Sequence, residues 1–91
     1  MELTLYSRPG CHLCDDMKAV VDRVAQSIPM AIVVIDISTD PRLEALYGEE
    51  IPVLLVDGRK AAKYRVSERE LVRLLNARAH TRSGGPGKSG R

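Results

Sequence analysis

The sequence of 91 residues contains no tryptophan and no phenylalanine, and it has only three tyrosines. Without large aromatic side chains, the core must be built from valine, isoleucine, leucine and methionine. No apolar run approaches the roughly 20 residues that cross a bilayer. Nor does a basic region followed by an apolar stretch stand near Met1. We therefore expect no membrane contact and a reducing, cytoplasmic location.

The sequence also lacks a large excess of positive or negative charge, since the formal net charge is +2. Arg82, Lys88 and Arg91 contribute +3 within residues 80–91, which leaves −1 for residues 1–79. No cluster of Lys and Arg falls on a predicted helix or strand, so nucleic acid is not an expected partner. The length allows one domain, which we place at 1–79, followed by a disordered Gly/Ser-rich basic tail at 80–91.

Cysteine occurs only at Cys11 and Cys14. The pair follows a short strand pattern and a Pro-Gly turn, and it opens an amphipathic helix. A Cys-x-x-Cys pair in this context favours thiol redox chemistry. One thiolate can attack a partner disulfide, and the second thiol can then resolve the mixed disulfide.

Two other roles for the cysteine pair are weaker. A structural disulfide that closes so short a loop would stabilise the fold by about 2 kcal/mol at most. A zinc site needs three or four protein ligands. His12 should point elsewhere on the helix and His80 lies beyond the last helix, so we predict no metal site.

The rest of the chain alternates between strand and helix patterns. The apolar run at 30–37 predicts a strand buried on both faces. Asp57-Gly58 predicts a hairpin turn, and Ser67 to Glu70 reads as a capping box that opens the last helix. The strands are expected at 2–6, 30–37, 53–56 and 60–66, and the helices at 11–27, at 41–48 and from residue 67. The order β-α-β-α-β-β-α predicts an α/β fold with a four-stranded mixed sheet flanked by three helices.

Two segments carry a resemblance to a known family. The run from Tyr6 to Cys14 (YSRPGCHLC) resembles the glutaredoxin active site, and Ile51-Pro52-Val53 resembles the Thr-Val-Pro segment of that family, whose proline is cis. Over residues 2 to about 78 the sequence is similar to the uncharacterised glutaredoxin-like proteins of the thioredoxin-fold superfamily. The resemblance implies an enzyme, a dithiol–disulfide oxidoreductase, that acts on protein or small-molecule disulfides as a monomer.

The candidate catalytic residues are Cys11 and Cys14. At a helix N-terminus the Cys11 thiolate would face unpaired N–H groups, which lower a thiol pKa. Arg8 and His12 could add positive charge and so support the thiolate. The carboxylates of Asp15 and Asp16 would oppose it if they face the sulfur. The resemblance places Ile51 and Pro52 at the substrate-binding surface.

One departure from the family concerns glutathione. Family members carry a Gly-Gly pair after the fourth strand, but the corresponding stretch here, near Arg65-Val66, has side chains that would crowd that ligand. We therefore expect no required cofactor and keep glutathione as a weaker alternative. The alternative function is a non-enzymatic thioredoxin-fold module that binds a protein partner or an iron–sulfur cluster.

Overall fold

A computed structural model describes residues 1–84 of the chain. Its elements follow the predicted order, with a single turn of 3₁₀-helix added after the second strand. The strands are β1 (Glu2–Ser7), β2 (Ala31–Asp36), β3 (Val53–Val56) and β4 (Arg59–Lys63). The helices are α1 (His12–Ala25), α2 (Pro41–Tyr47) and α3 (Glu68–Gly84). The predicted fold class is confirmed.

The four strands form one mixed sheet in the order β2-β1-β3-β4. β1 pairs in parallel with β2 and antiparallel with β3, and β3 pairs antiparallel with β4. In the β1–β3 ladder Tyr6 lies opposite Val53. The end of β1 and the start of β3 therefore lie side by side at the same end of the sheet.

The core is aliphatic, as the lack of Trp and Phe requires. The sheet contributes Leu3, Leu5 and Leu54, all at most 1% exposed, to a cluster that also includes residues of α1 and α3. On α3, Leu71 and Leu75 are fully buried. Burial of such side chains is the main favourable term in the stability of a domain of this size.

The prediction that β2 is buried on both faces is wrong. β2 forms the edge of the sheet beside β1, and Val33 and Val34 are 41% and 47% exposed. A continuous apolar run cannot by itself distinguish a central strand from an edge strand, because that position depends on strands elsewhere in the chain. The composition of β2 therefore overstates its burial.

The hairpin between β3 and β4 forms at Asp57-Gly58, as predicted. Both residues have positive φ angles, 49° and 85°, as the mirror-image turns of two-residue hairpins require. β4 ends at Lys63 rather than at residue 66, because Tyr64 has a φ of 69° and the Arg65 N–H donates to the Lys63 carbonyl at 2.8 Å. This three-residue turn ends the strand.

The start of α3 agrees with the sequence, since Ser67 Oγ accepts a hydrogen bond from the Glu70 N–H at 3.0 Å. α3 continues to Gly84, past the boundary predicted at residue 79, and residues 79–82 contain neither glycine nor proline to stop it. The disorder expected for 85–91 concerns residues outside the described part. No helix of the described chain is long and apolar enough to span a membrane.

Candidate functional site

Cys11 and Cys14 form a disulfide at the start of α1, with their Cα atoms 5.2 Å apart. Cys11 is the N-cap residue, in an extended conformation, and its Sγ accepts a hydrogen bond from the Cys14 N–H at 3.1 Å. An oxygen usually fills this capping role. Here the sulfur is in contact with one of the unpaired N–H groups at the helix N-terminus.

The two sulfurs differ in accessibility. Cys11 is half-buried, whereas Cys14 is 3% exposed and lies on the face of α1 that carries the buried Met17 and Val21. Residues three positions apart share a helix face, so Cys14 lies beside Cys11 and closer to the core. An incoming molecule would therefore meet the sulfur of Cys11 first.

His12, a candidate supporting residue, is the first residue of α1 and is exposed. Asp15, in the first turn of α1, and the neighbouring Asp16 are also exposed. The Asp15 N–H donates to the Cys11 carbonyl at 3.1 Å, which continues the helical pattern up to the cap. The backbone of this first turn thus fixes Cys11 from both its carbonyl and its sulfur.

Arg8, the other candidate support, is held by α2. Its guanidinium donates to Glu44 Oε1 at 2.7 Å, and it lies 3.4 Å from the Gly48 carbonyl oxygen. Arg8 also lies near Asp36 at the end of β2. The pKa of Asp36 is lowered mainly by hydrogen bonds from the Ser38 hydroxyl and N–H, and the charge of Arg8 lowers it further.

The Ile51–Pro52 peptide bond is cis, as the resemblance implies. Pro52 is fully buried, and its carbonyl accepts a hydrogen bond from the Tyr64 N–H at 2.9 Å. Because Tyr6 lies opposite Val53, the Ile51–Pro52 segment enters β3 at the end of the sheet where β1 leads into the cysteine loop. The fold thus brings the cysteine pair and Pro52 to one end of the sheet.

A stack of two tyrosines covers this end of the sheet on the side of α2. The rings of Tyr6 and Tyr47 lie 4.5 Å apart and are nearly parallel, at 16°. Lys60 Nζ lies 5.8 Å from the centre of the Tyr47 ring and bonds to Glu50 Oε1 at 2.7 Å. Hydrogen bonding between the Lys60 and Glu50 side chains raises the pKa of the lysine and lowers that of the glutamate.

A groove runs between α1 and the segment that joins β4 to α3. Its volume is about 280 Å³, and its lining is mostly apolar. Tyr64 is 42% exposed on one wall, where its hydroxyl donates to the Glu49 carbonyl at 3.1 Å. Arg65 is exposed and Val66 is buried in this segment. The groove is lined by Asp16, Met17, Val20, Tyr64, Arg65, Val66 and Ser67.

Sequence reasoning missed three features of this region: the groove, the left-handed Tyr64 and the pairing of Arg8 with Glu44. No local signal marked Tyr64, because glycine or asparagine is the usual residue at a positive φ. Within residues 1–77, whose side chains are described, no group of three or more His, Cys, Asp or Glu side chains is arranged to hold a metal ion.

A four-stranded mixed sheet of this topology, with a Cys-x-x-Cys disulfide at the mouth of its first helix, defines a glutaredoxin-like protein of the thioredoxin fold. The chain belongs to the family described as Glutaredoxin-like domain (DUF836), whose sequence profile matches residues 2–76. The site geometry fits thiol redox chemistry.

Solved structures and protein relatives agree with this assignment. The sequence is 37% identical to that of structural-genomics target protein XcR50 from X. campestris. The X-ray structure of that protein superposes with a TM-score of 0.68, covering 82% of this chain and 96% of that one. Uncharacterized protein Rv0508 of Mycobacterium tuberculosis is 27% identical over 75 residues, which cover 77% of each chain. Thioredoxin 1 of Thermosipho africanus, 18% identical with a TM-score of 0.64 over 88% of this chain and 96% of that one, shares the fold.

Proposed function

We propose that the protein is a dithiol–disulfide oxidoreductase that reduces protein or small-molecule disulfides through a mixed disulfide at Cys11. The observation that carries this proposal is the unequal exposure of two bonded cysteines at a helix N-terminus. Cys11 is the more exposed of the two residues and Cys14, bonded to it, is buried. This arrangement suits attack by Cys11 followed by resolution by Cys14.

The reaction begins from the reduced dithiol. The Cys11 thiolate attacks one sulfur of the substrate disulfide, forms a bond to it and releases the other sulfur as a thiolate, which takes up a proton. The Cys14 thiol loses its proton, and its thiolate attacks Cys11 Sγ and releases the second substrate sulfur. The substrate gains two electrons and two protons, and Cys11–Cys14 returns to the disulfide. A thiol reductant must then reduce the pair again.

The hydrogen bond from the Cys14 N–H supports the first step. In the reduced protein this donor, together with the positive end of the α1 dipole, would stabilise negative charge on Cys11 Sγ. The half-buried Ile51 and the buried Pro52 would form the wall against which an extended substrate lies. The proposed reaction requires no cofactor, and glutathione is kept as the weaker alternative because the segment at Arg65 and Val66 lacks the glycine pair of the glutaredoxins.

The proposal is tested with insulin as the disulfide substrate and dithiothreitol as the reductant. Wild type should accelerate the reduction of insulin by dithiothreitol, and Cys11→Ser should not. In a separate reaction, Cys14→Ser that has been reduced and then freed of dithiothreitol should form a covalent insulin adduct, visible by non-reducing gel and by mass. Full activity of Cys11→Ser would refute the proposal. A coloured, iron-containing dimer without reductase activity would instead indicate the binding module.

A further inference from the structure

The Arg8 side chain joins the loop that carries the dithiol to a different element of the fold. Arg8 precedes Cys11 by three residues, across Pro9 and a Gly10 with φ of 78°. The Cα atoms of residues three positions apart are separated by at most about 11 Å, so the long Arg8 side chain starts close to Cys11. Its guanidinium is instead bonded to Glu44 Oε1 at 2.7 Å, and both side chains are little more than one-third exposed.

Gly48 leaves room for this ion pair. A Cβ atom at that position would lie 2.8 Å from Glu44 Oε1, 3.4 Å from the Arg8 guanidinium and 2.5 Å from the Glu44 carbonyl oxygen. The φ of Gly48 is −53°, which any residue adopts, so the conformation does not demand glycine there. The space does, because a Cβ would stand too close to the Glu44 backbone carbonyl oxygen and to Glu44 Oε1 unless one of them shifted.

We propose that Glu44 is a positioning residue of the dithiol site, which holds the Arg8 guanidinium against α2 and so withholds its charge from the Cys11 thiolate. The assignment deepens the proposed oxidoreductase function and rests on it. It differs from the simple expectation that Arg8 supports the thiolate, because a carboxylate at 2.7 Å competes for the same cation.

Other charged groups around this loop set the background. Asp36, at the end of β2, is within electrostatic range of Arg8, and His12 and Asp15 stand on the first turn of α1. Neutralising Arg8 removes one of the charges that lower the pKa of Asp36, but this carboxylate stays ionised in the pH range where a thiol titrates. The thiol of Cys11 therefore reports on the change at the pair itself.

The test titrates Cys11 in a Cys14→Ser background, where thiolate absorbance near 240 nm reports a single thiol. Glu44→Gln should lower the pKa of Cys11 by a few tenths of a pH unit or more, because Arg8 loses its competing partner. Arg8→Gln should raise it, because the Glu44 carboxylate then lacks a counter-charge. The double variant should return close to the parent value, and high salt should shrink all the differences.

Glu68→Gln provides the matched control. Glu68 pairs with Arg23 at 2.9 Å near the far end of α1, about 18 Å along the helix from Cys11. This variant should leave the titration unchanged. Shifts of the same sign in Glu44→Gln and Arg8→Gln, or no shift in either, would overturn the assignment. Because the titration needs no substrate, failure of wild type to reduce insulin would refute the proposed function and not this result.

Discussion

The backbone N–H of Cys14 points at the sulfur of Cys11, 3.1 Å away, while the Cys14 side chain turns toward the core. One residue therefore serves the site twice. The Cys14 N–H donates a hydrogen bond to Cys11 Sγ, and the buried Cys14 thiol can resolve a mixed disulfide at Cys11. Both follow from the spacing of three residues at the first turn of a helix, where backbone donors are still unpaired.

Selective alkylation should separate the two thiols of the reduced protein. With less than one equivalent of iodoacetamide, Cys11 should react at least about tenfold more than Cys14, because it is more exposed and lies at the helix N-terminus. Peptide mass mapping measures the ratio. Equal labelling, or preferential labelling of Cys14, would reverse the assigned roles.

A matched pair of leucine variants tests the packing. Leu54→Ala removes a fully buried side chain at the centre of the sheet and should lower the free energy of unfolding by about 2–5 kcal/mol. Leu46→Ala, on α2, removes a side chain that is 65% exposed and should change it by less than about 0.5 kcal/mol. Denaturant titrations of the oxidised proteins give both values. Comparable losses of unfolding free energy in the two variants would show that the Leu46 side chain is packed against the rest of the protein.

The end of β2 should contribute a pH-dependent term to stability. Hydrogen bonds from Ser38 lower the pKa of Asp36 below its ordinary value of 3.8. A carboxyl with a depressed folded-state pKa stabilises the protein above the unfolded value and loses that contribution as the pH falls through the folded one.

Ser38→Ala removes the hydroxyl donor and should destabilise the protein near neutral pH. The difference from wild type should shrink as the pH falls below about 3.8. Urea unfolding at a series of pH values measures this difference. Ser27→Ala, at an exposed serine, is the control and should show no such trend. A difference for Ser38→Ala that stays constant down to the lowest pH would contradict the assignment to Asp36.

Local patterns in the sequence predicted most of the fold. The Pro-Gly turn before Cys11 and the cap at Ser67 rely on neighbouring residues, so a short window contains their signals. The Asp57-Gly58 hairpin is local for the same reason. The resemblance to glutaredoxins added the cis bond before Pro52, which local preference alone would not favour.

The features that were missed depend on distant parts of the chain. The edge position of β2 follows from the order of all four strands, and the pairing of Arg8 with Glu44 spans 36 positions. The left-handed Tyr64 is fixed by bonds to Pro52 and Glu49, which lie across the sheet end in a different segment. No periodicity or spacing reports such contacts.

A redox titration of the whole chain tests the Cys11–Cys14 couple most directly. The protein is equilibrated in glutathione buffers of graded ratio, quenched with acid and analysed by intact mass. We expect a reversible loss of two hydrogens with a single midpoint and little glutathione adduct. Thiols that stay reduced throughout, or that only gain oxygen, would contradict a functional Cys11–Cys14 couple.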